Sequence, residues 1–340
     1  MNKTSLCGLT VEEISGIIHP DGFDHSHAVV IANAIYKKRT GDFSGLQRIP
    51  KNLRTFLTDT AIPGIYRPVR SEVSCDSTVK YLFKNPEGCQ FETVYIPDNK
   101  RNTICVSTQS GCRMGCPFCV TGKYGFHGNL SAGDIVNQVL SIDFAEKITH
   151  VVFMGMGEPM DNLESVLKAC KIFTAEWGLA LSPRNVTASS VGITPGIKRF
   201  LEKSVCNLTI SLYSPFPQER RKVIPAEKPY PAKEIIEILS NYPVKKKRRF
   251  SVAYVMINEV NDSDRHLNEL ITILKGTDIR VNLLPYHQVN GDKNRSSSDA
   301  RMVFFKHKLI TSGVSASVRK SRGADISAAC GLLAHGLKHS

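Results

Sequence analysis

Three cysteines fall within eight residues, in Cys112-Arg-Met-Gly-Cys116-Pro-Phe-Cys119. Thiolates are soft ligands, and three at this spacing can hold one metal ion or one cluster. A structural zinc site closes its tetrahedron with a fourth ligand, and neither a second Cys pair nor a His pair follows at finger spacing. An iron–sulfur cluster held by three protein thiolates instead keeps one iron open to an exogenous ligand. Gly111, Gly115 and Pro117 mark the stretch as a loop, which argues against three buried core thiols.

The surrounding chain is that of an ordinary globular protein, with 340 residues, 41% of them apolar and 22% charged, and no internal repeat. Its 44 Lys and Arg against 31 Asp and Glu leave a charge of +13, a field that draws polyanions, nucleic acid first among them. Met1 to Gly16 holds Thr4, Glu12 and Glu13 and no uninterrupted apolar run, so neither a secretory leader nor a membrane span is expected and the location reads as cytoplasmic. In a reducing compartment ten cysteines point to metal binding or catalysis, not to a disulfide framework.

Positioning these thiols is the task of the flanking elements. Residues 1–64 read as a small helical domain, with amphipathic segments from Thr10 and from His27. Residues 65–102 read as a β-hairpin extension, two alternating runs from Thr78 and Phe91 about a Pro86-Glu-Gly turn. From 103 to 340 strands and helices alternate. Strands are expected from Thr103, His150, Asn185, Asn207, Phe250 and Ile279, and helices include Ser131–Glu146, with capping-box spacing at Ser131 and Asp134, and Leu163–Trp177. Six βα units imply an α/β fold on a parallel sheet, either a partial barrel or a doubly wound sheet, with ligands at the carboxyl ends of the strands.

The C-x3-C-x2-C loop, with the aromatic Phe118 before its third cysteine, resembles the signature of the radical S-adenosylmethionine (SAM) superfamily. The resemblance implies a partial (β/α)6 barrel in which Cys112, Cys116 and Cys119 hold a [4Fe-4S] cluster whose open iron chelates SAM. Phe153-Met-Gly-Met-Gly157-Glu158 follows the next strand, where such enzymes set a glycine-rich segment against the methionine amino group. Gly157 would let the backbone approach, and Glu158 would accept from the ammonium.

Two further segments, Cys105-Val-Ser-Thr-Gln-Ser-Gly-Cys112 and Ser321-Arg-Gly-Ala-Asp-Ile-Ser-Ala-Ala-Cys330-Gly, narrow the resemblance to the RlmN and Cfr RNA adenine methyltransferases, and Phe91-Glu92-Thr-Val-Tyr-Ile-Pro is similar to a third family segment. C2 and C8 of adenine are electron-poor carbons, so a radical route is needed. In the family one SAM methylates a cysteine and a second yields the radical that activates the methyl group, two SAM per turnover. The resemblance implies that Cys330 is the methylated cysteine, that Cys105 resolves the adduct through a transient disulfide, and that Glu92 takes the proton or positions the base. Cys105 and Cys330 should then meet in the cleft despite their distance in sequence.

By the same resemblance Ser189, Ser211, Leu212, Tyr213 and His287 contact SAM. Tyr213 stands where the family has His, and His287 where it has Asn. The implied reaction is C2 methylation of the adenosine numbered 2503 in 23S rRNA, and also of adenosine 37 in tRNA, by a monomer with an electron donor such as a flavodoxin and no membrane partner. Cfr-type C8 methylation is the alternative inside the family. A metal-stabilised RNA-binding module without catalysis is the alternative outside it. Basic clusters at Lys245–Arg249, Arg220–Lys222 and Arg319–Arg322 are places for solvent or RNA, with phosphate contacts favoured at Arg319 and Arg322. His25, His27, His127 and His150 read as surface or packing residues. Cys7, Cys75, Cys89, Cys170 and Cys206 fit no motif, and Cys170 reads as core.

Overall fold

The computed structural model describes residues 3–99, 101–243, 248–288 and 292–334. The chain opens with β1 (Thr4–Ser5), α1 (Val11–Ile18), α2 (His25–Tyr36), α3 (Lys51–Thr60) and β2 (Ala61–Ile62). Capping boxes start two of these helices, Thr10 with Glu13 and Asp24 with His27, each satisfying amide groups that a helix start leaves open. This segment is not wholly helical as expected. β1 and β2 pair in parallel, and the ladder runs on through Leu6 and Cys7 to Ile62 and Pro63. Two-residue strands carry too little periodicity to be read from sequence.

The rest is a ten-stranded sheet with its helices, beside a separate two-stranded antiparallel pair made by residues 109–111 and 126–129. In chain order come β3 (Arg70–Val73), β4 (Val79–Lys84), β5 (Gln90–Ile96), β6 (Thr103–Cys105), β7 (Gln109–Gly111), α4 (Val120–Tyr124), β8 (Phe126–Asn129), α5 (Ala132–Leu140), β9 (His150–Phe153) and α6 (Leu163–Thr174). Then follow β10 (Val186–Ser190), α7 (Thr194–Lys203), β11 (Asn207–Ser211), α8 (Pro217–Val223), α9 (Ala232–Asn241), β12 (Phe250–Met256), α10 (Asp264–Leu274), β13 (Arg280–Pro285), α11 (Asp299–Thr311) and β14 (Ala316–Val318).

The strand order is β14-β13-β12-β11-β10-β9-β6-β5-β4-β3, parallel from β14 to β6 and antiparallel from β6 to β3. No strand is inserted out of turn, so the switch point of a doubly wound sheet is absent from the described residues and the order is that of a β/α barrel wall. The expected hairpin is present as β4 and β5, and it extends the wall instead of standing before it. β14 adds a parallel strand beyond the six expected. Its three residues, half-buried throughout, show no alternation to read.

Alternation along the strands separates two faces. Ile104, Val151, Phe153, Ala188, Leu208, Ile210, Val252, Tyr254 and Leu283 are buried in one hydrophobic cluster with helical residues such as Val166, Phe173, Phe200 and Leu270. The opposite face carries Thr103, Cys105, His150, Thr187, Ser189, Thr209, Ser211, Ser251, Asn282 and Ser317, and is polar. Among the described residues no helix is long and apolar enough to cross a membrane.

Candidate active site

The three-cysteine loop spans the gap between β7 and α4. Cys112 donates its amide to Gly125 O at 2.7 Å, Cys119 donates to Cys116 O at 3.1 Å, and Cys119 is the N-cap residue of α4. Cys116 is buried and its two partners half-buried. Loss of hydration pushes both Cys112 and Cys116 up to about 12, and the neighbouring cysteines and Glu158 push further the same way. Cys112 and Cys116 in this setting do not ionise unaided, whereas a polycationic iron core binds cysteines as thiolates, so the donor set fits a cluster. Among the described residues no three His, Cys, Asp or Glu side chains converge tightly enough to share one metal ion. Each iron of a cluster takes a single thiolate, so this donor set does not require that convergence.

The strand ends beside the loop are held by internal hydrogen bonds. Gly157 has φ +96°, and a Cβ there would lie 2.6 Å from Gln109 Cβ, so only glycine fits. Glu158 donates its amide to Gln109 Oε1 at 3.0 Å. Its carboxylate, expected to face an ammonium, accepts from Met160 N at 3.0 Å and Val191 N at 2.9 Å, one bond to each oxygen. Glu158 thereby ties the turn after β9 to the end of β10, and burial lifts it to about 7.

Ser189 lies opposite Thr209, two residues before Ser211 on the same polar face. Leu212 is buried and donates to Ala253 O. Tyr213 takes φ 63°, stacks on Phe118 at 5.5 Å and accepts from Asn261 at its carbonyl. His287 meets the Ser321 hydroxyl at 3.2 Å, and burial holds its ring below the usual value.

Cys105 and Cys330, far apart in sequence, are brought together. Cys105 is buried, and its thiol is raised first by lost hydration and then by Cys330. Cys330 is open to solvent yet crowded by protein, and its thiol is raised by lost hydration and then by Cys119. One segment therefore puts an accessible sulfur near both Cys105 and the Cys112–Cys119 loop.

That segment is moored at both sides. Asp325 accepts from Ser74 Oγ at 2.6 Å and Cys75 N at 3.1 Å, and Asp76 accepts from Gly323 N at 3.0 Å. Beyond Cys330, Gly331 O accepts from Val120 N at 2.8 Å and Leu333 O from Thr121 Oγ1 at 3.0 Å. Ala334 N donates to Glu92 Oε2 at 2.7 Å. Glu92 is 2% exposed and faces Lys80 Nζ at 3.4 Å, with Glu72 at 3.3 Å on the far side of the ammonium. Burial raises the Glu92 carboxyl and Lys80 opposes the shift.

Two residues that organise this site were not singled out from the sequence as doing so. Arg220, placed there in a solvated cluster, is fully buried. It pairs with Glu227 and donates to Val191 O, Ser211 O and Leu212 O, bracing the loops after β10 and β11. Lys80 was legible in principle: once Leu82 pairs with Glu92 across the hairpin, Lys80 is its same-face diagonal neighbour. Arg248, of the other basic run, donates to Leu201 O and Ser204 O at the end of α7 and lies over the Phe200, Tyr242 and Phe250 rings, so it serves packing. Lys245–Lys247 lie outside the described residues.

The model of the radical SAM superfamily matches residues 106–271. A protein of Parabacteroides distasonis named "Probable dual-specificity RNA methyltransferase RlmN" is 42% identical over 333 residues, covering 98% of this chain and 97% of that one. The namesake in Phocaeicola vulgatus is 44% identical, with 97% and 95% covered. In structure the chain is similar to a radical SAM methyltransferase from Sphaerobacter thermophilus, with a TM-score of 0.88, 35% identity, and 97% and 99% covered. Full-length identity at this level, with the cysteine loop inside the matched segment, carries one conclusion: the chain belongs to the RlmN family of radical SAM RNA methyltransferases.

Proposed function

We propose that the protein methylates C2 of the adenosine numbered 2503 in 23S rRNA, with adenosine 37 of tRNA as a second substrate, through an S-methylated Cys330. The single observation that supports this most is the meeting of Cys105, Cys119 and Cys330 at one place with Glu92 alongside. In this reading Cys112, Cys116 and Cys119 hold the cluster, and Gly157, Glu158, Ser189, Ser211, Leu212, Tyr213 and His287 form the SAM pocket, with Glu158 also bracing its wall. When bound, cluster and SAM supply the methyl group and the radical that activates it.

The chain's own residues do the rest. Cys330 carries the methyl group as a thioether and joins it to the base. Glu92, kept buried beside Lys80, accepts the proton that leaves the ring carbon. The odd electron left by radical addition is first given up, and the bound cluster would be its acceptor. The Cys105 thiolate then attacks the Cys330 sulfur, and an S–S bond forms as the S–C bond breaks. The electron pair of that bond passes into the ring, and the freed methylene takes up a proton to become the methyl group. Residues 1–64 act as an RNA-binding accessory, 65–102 as an extension of the wall, and 103–340 as the catalytic unit. The enzyme works as a cytoplasmic monomer, its electrons drawn from a donor such as a flavodoxin.

Anaerobically reconstituted protein with SAM, a reductant and protein-free 23S rRNA tests the reading by nucleoside mass spectrometry. The expected product is 2-methyladenosine. 8-Methyladenosine would move the enzyme to Cfr-type chemistry, and 5′-deoxyadenosine without any methyladenosine would discard the substrate.

A further inference from the structure

Gln109, at the start of β7, is wholly buried and lies three residues before Cys112. An amide side chain offers an acceptor oxygen and two N–H donors, and this one engages all of them. Its Oε1 accepts from Glu158 N at 3.0 Å, and its Nε2 donates to Asn129 Oδ1 at 2.9 Å and to Asp161 Oδ2 at 2.7 Å. Backbone bonds run the same way, with Thr108 N and Gln109 N donating to Met156 O at 2.8 and 3.3 Å. The parts joined in this way are the stem of the cysteine loop, made by β7 and β8, and the turn after β9.

The Asp161 oxygen that meets Gln109 also accepts from Arg113 Nη1 at 3.2 Å, and that guanidinium lies 3.7 Å over the Phe126 ring. Asp161 is therefore gripped from both sides of Cys112, by Gln109 before it and by Arg113 after it. The turn also carries Gly157, whose φ of +96° already favours glycine. A Cβ there would lie 2.7 Å from Gln109 N and 2.8 Å from Gln109 Cγ. Gln109 thus fills the space that the glycine leaves on this side, and stem and turn meet with no room for slip.

We infer that Gln109 is a positioning residue that sets the separation between Cys112 and the Gly157–Glu158 turn, and with it the fit of SAM across the two. The inference rests on the proposed function, in which the cysteine loop holds the cluster and the turn belongs to the SAM pocket. A ligand held at two places binds well only while their separation is fixed, because slack between them is lost as affinity. The bonds of a buried amide fix it firmly, whereas the solvent-reached Arg113–Asp161 ion pair adds little.

The test uses reconstituted wild type, Gln109→Met, Gln109→Glu and the double variant Gln109→Glu/Asp161→Asn. Each is assayed for iron content and, by anaerobic calorimetry with the cluster oxidised, for SAM affinity. Gln109→Met keeps the length of the side chain and removes its N–H donors. It should retain the wild-type iron content and bind SAM about tenfold or more weakly. Gln109→Glu sets two carboxylates against each other and should lose at least as much. Adding Asp161→Asn supplies a donor at that contact, and SAM affinity should recover to within about threefold of wild type. Recovery through an exchanged donor and acceptor is not expected of a residue that only fills space. Wild-type SAM affinity in Gln109→Met would overturn the inference. So would a loss of iron in step with affinity, which would make Gln109 a support of the cysteine loop alone, or a double variant no better than Gln109→Glu. Iron-loaded wild type that binds no SAM would remove the proposed function and the inference with it, whereas the other outcomes count against the inference alone.

Discussion

At the scale of single residues the site depends on groups held away from their ordinary ionisation. Glu92 is buried with Lys80 as its cation, and removing one member of such a pair strands the other. Lys80→Met should therefore destabilise the fold by about 3 kcal/mol in denaturant titration and depress methylation. The double variant Lys80→Met/Glu92→Gln should recover much of the stability and none of the activity. His150, on the polar face, is pressed down from 6.5 to about 4 by burial and by Arg101. A base depressed on folding takes up its proton first in the unfolded chain, so the stability tied to it is present above 6.5 and is lost as pH falls toward 4. The unfolding midpoint should drop across that window and drop less in His150→Gln. The three-cysteine loop and the strand-end positions of Gly157, Ser189 and Ser211 were legible, because close cysteine spacing is rare and the βα alternation marks where strands end. For Glu158 the sequence showed a position beside a glycine, and what it could not show is that the carboxylate also caps two backbone amides.

At the scale of elements, the turn between β3 and β4 is what places Cys330. Asp325 reaches Ser74 and Cys75 there, and Asp76 returns a bond to Gly323. Asp325→Ala should leave the melting temperature nearly unchanged, because the contact is at the surface, while slowing methylation several-fold in single-turnover assays by loosening the cysteine segment. The buried Arg220–Glu227 pair has the opposite profile. Arg220→Met should cost about 3–5 kcal/mol of stability and weaken SAM binding measured by calorimetry, since the loops after β10 and β11 both hang from that guanidinium. The βα alternation gave away six of the parallel strands because each falls in a stretch of alternating apolar and polar residues between helical segments. β14 and the β1–β2 pair escaped, as strands of two or three residues rest on the tertiary fold and not on their own pattern.

At the scale of the whole molecule, the ordered wall from β14 to β3 brings residues from opposite ends of the chain to one face: Glu92 and Cys105 from its antiparallel side, Cys330 from the segment after its last strand. The whole chain carries a charge of +13, so association with RNA should slow steeply as salt rises, as stopped-flow mixing would show. The central claim is that Cys330 carries the methyl group and Cys105 releases it. Cys105→Ala, reconstituted anaerobically with SAM, reductant and 23S rRNA, measures it most directly on a denaturing gel. The account predicts a covalent protein–RNA adduct that maps to Cys330, and none when Cys330→Ala is used. No adduct from Cys105→Ala, or an equal adduct from both variants, would contradict it.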